Sequence, residues 1–124
     1  MVVGVDFDGT ICQEGYFPDI GPEIPGAIET LKWLNSHGVN IILYTMRSHD
    51  EDRDTLQEAI DFLKSRGVYL WAANYNPDQQ KWAPNSRKIY CDLYIDDRNI
   101  GIPKGDQGVD WGKIKLLIDK ELFN

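Results

Sequence analysis

Apolar positions along this chain fall into short runs separated by amphipathic stretches. Val2–Asp6 is a β-branched run that ends in an acid and reads as a buried strand. Ile24, Ile28, Leu31 and Leu34 share one helical face, so the spacing predicts a helix over 24–37. Pro25 suits its first turn, and Gly38 supplies a left-handed stop. Val39–Thr45 reads as a second buried strand. Ser48 and Glu51 have capping-box spacing and predict the start of a helix that turns Leu56, Ala59, Ile60 and Leu63 inward. The acids between Asp50 and Asp54 then read as a solvated helix start, and Gly67 as its end. Val68–Ala73 is a third strand, 74–87 a polar loop holding Pro77 and Pro84, and Ile89–Asp96 a fourth strand. Trp111, Ile114, Leu117, Ile118 and Leu122 mark a closing helix. Buried strands joined through helices predict a mainly parallel sheet covered on both faces, a Rossmann-like three-layer α/β sandwich.

The 124 residues suit one domain spanning 1–124, with no internal repeat or linker. Twenty acidic against 13 basic residues give a net charge of −7. That balance argues against nucleic acid and an anionic membrane as partners, because no broad positive field exists to hold either. No apolar run approaches the roughly 18 residues of a membrane span. With no signal-peptide pattern at the N-terminus, the expected location is cytoplasmic. Cys12 and Cys91 could form one bridge, but two buried thiols are the expectation in a reducing compartment. Together with His37 and His49 they match no zinc spacing.

Ligands of parallel sheets bind at the carboxyl ends of the strands. Here the first strand ends Asp6-Phe7-Asp8-Gly9-Thr10, the second Tyr44-Thr45-Met46-Arg47, and the fourth Ile95-Asp96-Asp97-Arg98, with Lys88 just before it. Clustered carboxylates stay ionised only with a cation or shared protons, and hard oxygen ligands with open positions suit Mg²⁺. A phosphate beside that ion could be held by Lys88, the Thr45 hydroxyl and backbone N–H groups around Phe7–Gly9. Either of the first two aspartates could attack phosphorus while the other handles protons.

These residues resemble the haloacid dehalogenase (HAD) superfamily of phosphohydrolases. Val2-Val3-Gly4-Val5-Asp6-Phe7-Asp8-Gly9-Thr10 is similar to its first motif, Ile41–Thr45 to its second and Leu93–Asp97 to its fourth. Lys88, preferred to Lys81, stands for the third. The resemblance covers nearly the whole chain and implies a HAD-like fold. It also implies a Mg²⁺-dependent phosphatase in which Asp6 is the nucleophile and Asp8 the general acid/base. Thr45 and Lys88 would hold the phosphoryl group, helped by Phe7, Gly9, Met46 and Arg47. Mg²⁺ would be bound by Asp6, the Asp8 backbone carbonyl and a fourth-motif acid, with Asp97 favoured over Asp96 for direct contact. Arg47 has a second reading, as a partner of Asp50 or Glu51.

Many HAD members carry a cap domain. The segments where caps are inserted, 11–23 and 74–87, are here only loop-sized, so the chain resembles small bacterial and phage members with no cap. The expected site is open, or covered only by a flap around Tyr16 and Phe17. That leaves a large phosphorylated substrate, a lid from a partner such as a second copy of the chain, or low selectivity. Trp82 and Tyr75 either pack at the rim or lie over substrate. Two other classes share these residue types: a phospho-acceptor signalling domain and a catalytically idle phosphate-binding domain. The order of the motifs, with Asp-x-Asp first and the acid pair last, is the phosphatase order.

Overall fold

The computed structural model describes residues 1–123. Four parallel strands, β1 (Val2–Val5), β2 (Asn40–Leu43), β3 (Ala72–Ala73) and β4 (Leu93–Ile95), form a sheet in the order β3-β2-β1-β4. Three helices accompany them: α1 (Ala27–Ser36), α2 (Thr55–Ser65) and α3 (Trp111–Phe123). A small antiparallel hairpin, β5 (Lys104–Gly105) with β6 (Gly108–Val109), precedes α3 and has no counterpart in the sequence reading. This is the expected Rossmann-like α/β fold. No helix among the described residues is long and apolar enough to cross a membrane.

Strand order decides where the covering layers lie. From β1 to β2 to β3 the chain steps in one direction, so two right-handed crossovers place α1 and α2 on the same face. There they pack with α3 over Val3, Val5, Ile41 and Leu43, the odd-numbered side chains of the central strands. The step from β3 back past β1 to β4 runs the other way, so residues 74–92 pass over the opposite face. A smaller core there joins Ile42, Ala72, Ile89 and Cys91, with Val2, Trp71 and Tyr94 beside it. The third layer is therefore an irregular segment with one 3-10 turn, Gln79–Lys81, instead of a helix. Two buried polar side chains organise it. The Asn76 amide donates to the Tyr90 carbonyl (2.9 Å) and its Oδ1 accepts from the Asp78 and Gln79 N–H groups. Gln79 donates to the Lys88 carbonyl (2.8 Å) and accepts from the Tyr90 N–H (2.9 Å).

Several boundaries differ from expectation for local reasons. Helix α1 starts at Ala27, because Gly26 takes the N-cap position in a left-handed conformation (φ 83°) and Pro25 lies before it. The capping box at Ser48 does not form. Ser48 donates its hydroxyl to Asp50 (2.5 Å), and Asp54 caps α2 instead, accepting from the Gln57 N–H at 2.8 Å. Strand β4 is shorter than 89–96, since Tyr94 folds its hydroxyl back onto Ile89 and Cys91, donating to one carbonyl and accepting from the other's N–H. Cys12 and Cys91 are buried free thiols in the two separate cores. Burial pushes the Cys12 thiol up to about 12 and the Cys91 thiol up to about 11.

Candidate active site

Parallel register brings the strand ends level. Val5 pairs with Leu43 on one side and Ile95 on the other, so Asp6, Tyr44 and Asp96 follow at one height on the carboxyl edge. The sheet hydrogen bonding continues one step further, from the Asp6 N–H to the Ile95 carbonyl (2.9 Å) and from the Tyr44 N–H to the Val5 carbonyl (2.8 Å). Beyond this point Asp6, Tyr44 and Asp96 line one groove.

One carboxylate oxygen from each of Asp6, Asp96 and Asp97 lies within 4.8 Å of the others. The Thr10 hydroxyl, fully buried, sits between two of them, 3.1 Å from Asp6 Oδ2 and 3.1 Å from Asp97 Oδ1, and accepts the Asp97 N–H at 2.9 Å. A hydroxyl has one proton, so it satisfies only one acid at a time. Burial, the charge of Asp96 and the hydrogen bond from Asp97 together push Asp6 up to about 7, against the pull of the Phe7 N–H and the Thr10 hydroxyl. Three crowded, partly exposed carboxylates whose oxygens converge form a donor set that fits a hard divalent cation.

Gly9 and Trp111 shape this corner. Gly9 has φ 88°, and a Cβ there would stand 2.7 Å from Asp97 Oδ2, so only glycine lets the fourth-strand acid approach. Its N–H donates to the Cys12 carbonyl (2.7 Å) and is not free for a phosphate, contrary to the sequence reading. The Trp111 indole N–H, from the first turn of α3, donates to the Thr10 carbonyl at 2.8 Å. Phe7 points away from the site into the core, edge-on to Phe62.

Asp8 lies outside the acidic trio. Both its oxygens meet Arg47, Nε to Oδ2 at 2.8 Å and the terminal NH2 nitrogen to Oδ1 at 2.9 Å. Arg47 is 1% exposed and Asp8 22%. The guanidinium also donates to the carbonyls of Pro18, Asp19 and Thr55, which occupies all five of its N–H groups. Arg47 therefore has no donor left for a substrate phosphate, and it pairs with neither Asp50 nor Glu51. Sequence spacing could not show this, because the pairing spans 39 residues.

Thr45 follows β2 at the same edge. Its N–H donates to Asn74 Oδ1 (2.9 Å), and its hydroxyl oxygen accepts from the Arg47 N–H (3.1 Å), which leaves the hydroxyl proton to point elsewhere. Asn74, left-handed at φ 59°, also donates to the Arg47 carbonyl and so shapes this turn from the end of β3. Met46 is fully exposed at the turn's tip.

Two grooves meet at the acids. One, of about 860 Å³, runs past Asp6, Tyr44, Lys88, Tyr94, Asn99 and Ile100 on the face covered by 74–92. The other, of about 440 Å³, passes Asp8, Phe17, Tyr44, Thr45 and Met46 under the flap. Lys88 lies in the first, with its amine 5.9 Å from the Tyr94 ring centre and no ion pair among the described residues. Lys81 stands outside both grooves, 4.0 Å from Asp78. Sequence reading missed Asn74, Asn76 and Gln79, and gave Thr10 no role beyond its place in the motif. Polar residues in a loop carry no signal until the fold shows what they hold.

Set against proteins of solved structure, the chain is similar to a conserved protein from Bacteroides thetaiotaomicron, with 40% identity and a TM-score of 0.81. The match covers 98% of this chain and 91% of that one. The two belong to one family. A D,D-heptose 1,7-bisphosphate phosphatase from B. bronchiseptica, complexed with magnesium and phosphate, shares 22% identity over 58% of this chain and 47% of its own, with a TM-score of 0.46. No protein-family model and no curated protein matches the chain.

Proposed function

We propose that the chain is a Mg²⁺-dependent phosphatase of HAD type that hydrolyses a phosphate monoester through an aspartyl-phosphate on Asp6. The observation that carries this reading is the convergence of Asp6, Asp96 and Asp97 within 4.8 Å at the ends of two neighbouring parallel strands, with Asp8 and Thr45 on the adjoining loops. Motifs of the HAD type occupy those positions in the expected order.

Asp6, Asp97 or Asp96, and by resemblance the Asp8 carbonyl, would hold Mg²⁺, which supplies positive charge for the crowded carboxylates and the phosphoryl oxygens. Asp6 forms its bond to phosphorus as the bond to the leaving oxygen breaks, and Asp8 gives that oxygen a proton. Asp8 then takes a proton from water as the water attacks phosphorus, freeing phosphate and restoring Asp6. The Thr45 hydroxyl, with its oxygen already accepting from Arg47, donates to a phosphoryl oxygen, and Lys88 supplies charge from the larger groove. The leaving group lies along the open groove, which admits a bulky one.

Acid quenching of Asp8→Asn protein mixed with an aryl phosphate and Mg²⁺ tests this reading. Peptide mapping should find a phosphoryl group on the peptide containing Asp6. A phosphoryl group on another side chain, or turnover by Asp6→Asn, would refute it.

A further inference from the structure

We propose that Arg47 is a positioning residue that joins the orientation of Asp8 to the placement of the flap, so that the two move as one unit. Its role in turnover rests on the phosphatase reading; the physical linkage does not.

The guanidinium fork engages both Asp8 oxygens, which fixes the carboxylate plane as a single hydrogen bond would not. Each oxygen keeps a second lone pair, so the pairing does not exhaust Asp8 as a proton carrier. The same cation grips the flap through the Pro18 carbonyl (3.2 Å) and the Asp19 carbonyl (2.9 Å), and the start of α2 through the Thr55 carbonyl (3.3 Å). Aromatic rings from the core and from the flap add to the grip, with the Arg47 carbon 5.0 Å from the centre of Phe7 and 5.2 Å from that of Phe17. A buried charge with five donors and five acceptors has one low-energy arrangement, and moving either Asp8 or residues 13–20 alone leaves donors unpaired. Asp8 is thereby also held out of the acidic trio. A lysine keeps the charge but cannot form the planar fork.

The test uses Arg47→Lys, Asp8→Asn and the double variant in the full chain. Two readouts are taken: kcat and KM for an aryl phosphate with Mg²⁺, and amide hydrogen exchange across 13–20. Arg47→Lys should lower kcat at least about tenfold with KM changed less than about threefold. The double variant should be no slower than Asp8→Asn alone, because Arg47 acts through Asp8. Flap amides should exchange faster in both single variants. A kcat within about twofold of wild type, losses that multiply in the double variant, or unchanged flap exchange would each overturn the proposal. Should Arg47→Lys fail to fold, flap exchange in the isosteric Asp8→Asn decides the linkage. A wild-type protein that hydrolyses no phosphate ester would refute the phosphatase reading, while flap exchange would still decide the linkage.

Discussion

Asp6 stands where burial and two neighbouring carboxylates oppose its ionisation, and this crowding has a sign that can be measured. Its folded-state value of about 7 lies above the ordinary 3.8, so the native chain holds this proton more tightly than the unfolded chain does. Stability from that proton is full below about pH 4 and is lost as pH rises through 7. Metal-free protein should therefore lose stability across this window, and Asp6→Asn should flatten the loss. Thermal unfolding in EDTA at several pH values checks both. Added Mg²⁺ should raise the wild-type melting temperature more at pH 8 than at pH 5, where protons compete for the same oxygens. Equal protection at both pH values would contradict the assignment of Asp6 to the cation site. Thr10 is the second residue with a sharp expectation. Thr10→Val keeps the shape but leaves the Asp97 N–H and two acids without their shared hydroxyl. Urea unfolding should show a loss of about 1–3 kcal/mol.

Segment 74–92 behaves as an element although it has almost no regular structure. Asn76 and Gln79 replace the missing backbone ladder, and Gln79 holds the carbonyl of Lys88 and the N–H of Tyr90 at once. Gln79→Leu should leave the helical face intact and let Lys88 drift. KM for an aryl phosphate should rise about tenfold or more, with a smaller fall in kcat. An unchanged KM would show that Lys88 does not hold substrate. This segment is also where sequence reading stopped short. The helical face was legible because Leu31, Leu34, Leu56 and Leu63 repeat at helical spacing, and the strands because Val2–Val5 and Ile41–Leu43 are continuous apolar runs. A layer held by buried amides has no period to read. The start of α2 misled for a related reason, since Ser48 and Asp54 are both competent caps, and Ser48 turns its hydroxyl to Asp50 instead.

Across the whole molecule, the topology does most of the work of assembling the site. Strand order β3-β2-β1-β4 puts the two acid-bearing strands side by side, and their register brings Asp6 level with Asp96. That arrangement was legible in the sequence, since the ends of the first, second and fourth strands carry Asp6, Thr45 and Asp96 in the chain's own order. Arg47 was not, because its partner Asp8 sits on the neighbouring strand's loop and a salt bridge across 39 residues leaves no local pattern. Gly9 was legible as a turn glycine, whereas the close approach of Asp97 to it, across the fold, was not.

The most direct test of the central claim is phosphate release from p-nitrophenyl phosphate by wild type and Asp6→Asn, each with Mg²⁺ and with EDTA. Wild type should release phosphate with Mg²⁺ alone, and Asp6→Asn, which should remain folded, should release none. Release that survives in Asp6→Asn or in EDTA, or no release from folded wild type in Mg²⁺, would contradict it.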